Sequence, residues 1–135
     1  MSSPPADHPS FPEDWPTDCP PSEAAAPTGE HVRIVRRAIA TDDDFRSHRE
    51  LGKLPKAPAC LRAGLSMFRS VAEAERMALL FPVLGDFLAR GQLDAGYGRS
   101  MLTTGREPTH TTVWPFVQTD RAAPFVTVSP VQRAS

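Results

Sequence analysis

The sequence predicts a small α+β domain, a mixed or antiparallel sheet carrying two helices, preceded by a disordered acidic proline-rich tail. Three observations predict it. Of the fifteen prolines, eight fall in the first 28 residues. Residues 1–30 hold six acids and no Lys or Arg, a net of −6, whereas residues 31–135 carry a net of +5. Beyond residue 30, short β-branched or alternating segments recur around two stretches with helix-start residues and helical apolar spacing. A chain of 135 residues is the size of one domain. The expected division is therefore a tail over 1–29 and a domain over 30–135.

The tail has too little apolar surface to offset the entropy of ordering it. Its large anchors are Phe11 and Trp15, each beside a proline that opposes a helix; the alternative to a solvated tail is a short acidic-aromatic peptide that binds a partner or folds back over the basic body. Residues 31–40 are β-branched and partly alternating, which predicts a first strand. Thr41 offers an N-cap ahead of Asp42, Asp43 and Asp44, whose carboxylates suit a helix N-terminus. That helix is expected to run through Phe45 and Leu51 and to stop at Gly52. Pro55 and Pro58 make residues 53–59 a loop, and residues 61–68, around Gly64, read as a short strand. Ser70 and Glu73 form a capping box ahead of Ala74, Met77, Ala78 and Phe81, a helix ended by Pro82 and Gly85. Phe87, Ala89, Gly91 and Leu93 then share one face if the segment is extended, with a second helical turn as the alternative. Residues 94–109 are rich in glycine and threonine, with room for a short strand at 99–103. Two late strands, 111–117 and 124–131, flank a turn near Asp120.

Composition also excludes function classes. No stretch approaches the eighteen or so apolar residues of a membrane helix, and no secretory signal is visible at the N-terminus. Cys19 and Cys60 are the two cysteines. With Cys19 in the tail they read as reduced thiols of a cytoplasmic protein, and neither has the companions of a zinc site. The basic body permits contact with nucleic acid but matches no recognised module.

Six segments fall in one order: Asp43-Asp44-Phe45-x-Ser47, Leu51-Gly52-x-x-Pro55, Gly64-Leu65-Ser66, Ala74-x-x-x-Ala78-x-x-Phe81-Pro82-x-Leu84-Gly85, His110-x-Thr112-Val113-Trp114 and Val126-x-Val128-x-Pro130-Val131. Together they resemble a group of small uncharacterised actinobacterial proteins, over roughly residues 32–131. A looser likeness lies beneath. A strand with Gly-Leu-Ser followed by a helix with alanines four apart is similar to the centre of ADP-ribosyltransferase-like domains. There the Ser-bearing strand and the helix frame a nicotinamide pocket. That resemblance implies NAD as the cofactor or substrate, an arginine of the first strand (Arg36 or Arg37) facing a phosphate, and Ser66 steadying the pocket. The glutamate of that family, often in Glu-x-Glu, has no matching pair here; the late acids are Glu107 and Asp120.

Read from the residues alone, His110-Thr-Thr-Val-Trp114 is the most suggestive constellation. In an extended strand His110, Thr112 and Trp114 share a face, and an imidazole, a hydroxyl and a flat ring together suit an aromatic or sugar-phosphate ligand. Arg99 and Arg106 flank a Thr-Thr-Gly stretch just upstream, where guanidinium groups can grip phosphate or carboxylate. With Arg36 and Ser66, which the resemblance implies, the expected binding surface comprises Arg36, Ser66, Arg99, Arg106, His110, Thr112 and Trp114. The expected function is a cytoplasmic domain that binds a small molecule or a protein partner, with no assigned cofactor or metal. The alternatives are an ADP-ribosyltransferase-like enzyme using NAD and a weak nucleic-acid binder.

Overall fold

The computed structural model describes residues 10–105 and 107–133. Six strands form one antiparallel sheet: β1 (Gly29–Val35), β2 (Leu65–Phe68), β3 (Phe87–Leu93), β4 (Gly98–Leu102), β5 (His110–Pro115) and β6 (Thr127–Pro130). Their spatial order is β4-β5-β2-β1-β3-β6. The helices are α1 (His48–Leu51), α2 (Ala59–Ala63) and α3 (Val71–Leu80), with 3-10 turns at Asp42–Phe45 and Pro82–Leu84.

α3 forms where its signals stand. The Ser70 hydroxyl accepts from the Glu73 amide at 3.2 Å, and Ala74 and Ala78 are buried on the sheet against Val32, Phe68 and Leu88. The box is half-made, because the Glu73 carboxylate turns away to accept from the Thr109 amide and hydroxyl, both at 2.8 Å. The other face of the sheet is covered by irregular chain: Phe45 and Phe125 pack on Val35, Leu65, Met67, Ala89 and Val113, ring against ring at 4.8 Å.

The helix expected over 41–51 is two elements. The Asp44 carboxylate accepts from the Thr41 amide at 3.0 Å and closes a 3-10 turn. Ser47 then starts α1 as a separate N-cap, its hydroxyl accepting from the Glu50 amide and its amide donating to the Glu50 carboxylate. Gly52, at φ +69°, ends it in the left-handed conformation that glycine favours. The strand expected over 61–68 is also divided, with α2 before Gly64 and β2 after it; a short apolar run fits either type until its neighbours are known.

Two expectations about the tail are corrected. Residues 10–28 lie against the body as a strap rather than in solvent: Phe11 stacks on Trp15 and meets Phe116 at 5.0 Å, Ala25 bridges to Ser100 of β4, and Pro27 is buried. The cysteines are not free thiols, since Cys19 and Cys60 form a disulfide. Residues 1–9 of the expected tail lie outside the described residues.

Candidate functional site

The sheet has a seam. β1 pairs with β3 over seven residue pairs, and β2 with β5 over four, yet β1 meets β2 at one pair, Val32 with Phe68. Beyond that pair the two strands part. Arg33 fills the gap: its guanidinium donates to the carbonyl of Ser66 at 2.8 Å, of Asp44 at 2.7 Å and of Arg46 at 3.4 Å. Its face lies 5.4 Å from the Phe45 ring centre. It is thus held by carbonyl dipoles rather than by a carboxylate, and burial lowers its pKa to about 10, so it stays charged at neutral pH.

A cleft of about 360 Å³ opens over this seam, within the size range of small-ligand sites. Ser66, Phe68 and His110 line it together with Ile34. The 3-10 turn at Val83–Leu84 and Met77 of α3 form an apolar wall, and Arg46, His48, Leu51 and Lys53 a basic one. Arg36 lies at the same opening. Asp43 and Asp44 are the acids here and both are engaged, Asp43 by Arg46 at 3.0 Å and Asp44 by the Thr41 and Arg36 amides. Among the described residues neither the Arg36 guanidinium nor the Lys53 ammonium has a carboxylate in hydrogen-bonding range. Burial, and then the charges of Arg33, Lys53 and Arg62, hold the His48 pKa below its ordinary value, as a positive field would.

Of the sequence-predicted site residues, the fold brings Arg36, Ser66 and His110 to this cleft. His110 takes the Thr103 carbonyl on Nδ1 at 3.0 Å. The same Nδ1 lies 2.9 Å from the Thr103 hydroxyl, so Thr103 fixes the ring through both its oxygens. Thr112 and Trp114 share the face of His110 but lie buried beneath neighbours. The Thr112 hydroxyl bonds Thr103 at 2.8 Å, and the Trp114 indole donates to the Cys60 carbonyl at 2.9 Å. α2 can lie on them because Gly64 has no side chain: a Cβ there would come within 2.3 Å of Thr112 and 3.1 Å of the indole. Arg99 points elsewhere, over the Phe116 ring at 5.2 Å. Arg106 lies outside the described residues. Arg33, Arg46, His48 and Lys53 are cleft residues that the sequence pattern did not single out.

A larger open groove of about 590 Å³, between Ile39 and Val126, carries none of the predicted site residues. No group of three or more His, Cys, Asp or Glu among the described residues is placed to hold a metal ion, and no helix among them is long and apolar enough to cross a membrane. No family model, curated protein or solved structure matches the chain.

A further histidine is buried and incompletely paired. His31 Nδ1 bonds the Gly29 carbonyl at 3.0 Å, while Nε2 is enclosed with no hydrogen-bond partner among the described residues. Burial lowers its pKa below 6.5, outweighing the Gly29 carbonyl, which raises it. A histidine whose native pKa is depressed contributes stability that is present above 6.5 and lost as pH falls toward the native value. The melting temperature is therefore expected to fall between pH 7.5 and 5.5, by roughly 3–6 °C for each kcal/mol lost. His31→Phe and His48→Gln should each flatten that slope; an unchanged slope in both variants would show that other groups set it.

Proposed function

We propose that the protein is a binding domain that takes a small anionic ligand with an apolar or aromatic body in the cleft between β1 and β2. The observation that carries this reading is the Arg33 guanidinium, fixed by three carbonyls at the seam and, among the described residues, in no ion pair with a carboxylate. A charge already desolvated and oriented is a prepared anion receptor, because its ordering cost is met on folding. Arg36 and Lys53 add unpaired charge at the rim, and Ile34, Phe68 and Met77 offer apolar contact for the rest of the ligand.

A second reading is an ADP-ribosyltransferase-like enzyme using NAD. It is favoured by β2, which carries Ser66, running into α3, and by Arg36 and Ser66 at one opening. The late acids do not supply a carboxylate to that opening: Glu107 pairs with Arg76 at 3.0 Å, and Asp120 lines other grooves. The binding reading therefore leads. A cytoplasmic setting accompanies both readings, and there a disulfide is characteristically reversible.

Thermal unfolding titrated with adenosine monophosphate and with oxidised NAD tests both. A ligand at a hundredfold excess over its dissociation constant stabilises the fold by about 2.7 kcal/mol. The rise is expected to be saturable, abolished by Ser66→Phe, which fills the cleft from an exposed position, and retained in Arg99→Gln. A rise unaffected by Ser66→Phe, or none with either compound, would refute the site. Release of nicotinamide from NAD, absent from the Ser66→Phe variant, would move the enzyme reading to the front.

A further inference from the structure

We propose that the Cys19–Cys60 disulfide is a redox latch on the cleft: closed, it holds the α1–α2 wall in place, and its reduction loosens that wall and weakens anion binding. This rests on the reading of the cleft as an anion site.

The basic wall is built from elements that cannot hold themselves. α1 has four residues and α2 five, far short of the dozen or more that an isolated helix needs in water. Their position must come from what they are fastened to. The strap supplies two of those fastenings. Cys60, in the first turn of α2, is bonded to Cys19. Arg49 of α1 donates to the Asp14 carbonyl at 2.9 Å and pairs with its carboxylate at 3.3 Å. The helices are tied to each other as well, the Arg62 guanidinium donating to the Lys53 carbonyl at 3.0 Å. So the strap grips the segment that carries His48, Leu51 and Lys53 into the cleft.

The strap's remaining anchors lie away from the cleft. Phe11 sits on Phe116, and Ala25 pairs with Ser100 on the β4 edge. With the bridge open, these would keep the strap near the body while leaving α2 joined to it by no covalent link. The opposite, apolar wall belongs to α3, which is ten residues long and packed on the sheet, and should be indifferent to the bridge.

The step balances with a dithiol reductant. Its thiolate attacks one sulfur of the bridge and releases the other as a cysteine thiolate. Its second thiol then closes a ring and frees the second cysteine. The protein gains two electrons and two protons, and the dithiol leaves as a cyclic disulfide. Neither cysteine is fully buried, so small reductants have access.

The test compares the full oxidised chain with the same chain in dithiothreitol, by amide exchange and by calorimetric titration with adenosine monophosphate. Exchange over residues 48–63 is expected to accelerate about tenfold while residues 87–93 keep their protection, and the dissociation constant to rise about tenfold. Unchanged exchange over 48–63 overturns the latch whatever the titration shows. Faster exchange with equal affinity overturns its coupling to the cleft. If the compound binds neither form, the anion reading itself falls, and exchange alone then decides the latch. Should the reduced chain unfold throughout, Arg49→Gln with the bridge intact replaces it. A two- to threefold loss of affinity with faster exchange in α1 supports the proposal, and no change in either overturns it.

Discussion

The double variant Cys19→Ser, Cys60→Ser is expected to lose about 4 kcal/mol of stability, the chain-entropy value for a bridge across 41 residues. For a domain of this size that corresponds to a fall in melting temperature of roughly 12–24 °C. The magnitude discriminates between two pictures of the N-terminal segment. A crosslink stabilises by restricting the unfolded chain more than the folded one. A tail solvated in the native state would be restricted in both, and the effect would nearly cancel. A strap that already stacks Phe11 on Phe116, pairs Ala25 with Ser100 and presents Asp14 to Arg49 is fixed in the native state alone, so nearly the full term should appear. Either single serine variant should lose almost as much as the double, since each opens the same bond. Denaturant unfolding of the oxidised wild type against the three variants measures this, and a difference below about 1 kcal/mol would return residues 10–28 to solvent.

What the sequence disclosed and what it withheld divide along one physical line. α3 was legible because its signals are local: a cap at Ser70 and buried alanines four apart at 74 and 78. β3 was legible from alternation, and the stop at Gly52 from the conformation only glycine takes readily. The strap was legible only as the alternative that Phe11 and Trp15 allow, since proline and acid content describe a segment's own tendency to order, not the Phe116 ring and the Cys60 sulfur that wait for it. The bridge joins residues 41 apart in sequence, and no local pattern pairs them. The cleft was half legible. Ser66, His110 and Arg36 carry strand and resemblance signals, but nothing in the first strand's own pattern sets Arg33 apart. Its role comes from β1 and β2 parting beyond Val32 and Phe68, a long-range register that alternation within either strand cannot encode.

Trp114 is where that division can be measured. Its ring, read as a platform for a ligand, is fully buried and its N–H is spent on the Cys60 carbonyl. Trp114→Ala should therefore cost about 4 kcal/mol, the scale for removing a large aromatic from a core, because Thr112 and Gly64 close over a space they cannot fill. Trp114→Phe keeps most of the packing and loses the donor, leaving the Cys60 carbonyl unsatisfied, for about 1–2 kcal/mol. The phenylalanine variant separates core from platform. If the indole supports α2 from beneath, Trp114→Phe loses stability yet binds adenosine monophosphate with an affinity within about twofold of wild type. If the indole stacks on the ligand, the order reverses, with affinity falling and stability holding. Fluorescence in a Trp15→Phe background gives an independent readout: emission from Trp114 should be blue-shifted, resist iodide quenching, and stay unaltered by saturating ligand. Iodide access to the ring, or quenching by the ligand, would place Trp114 in the site after all and shift the anion's partner from Arg33 at the seam toward the β4–β5 side of the sheet.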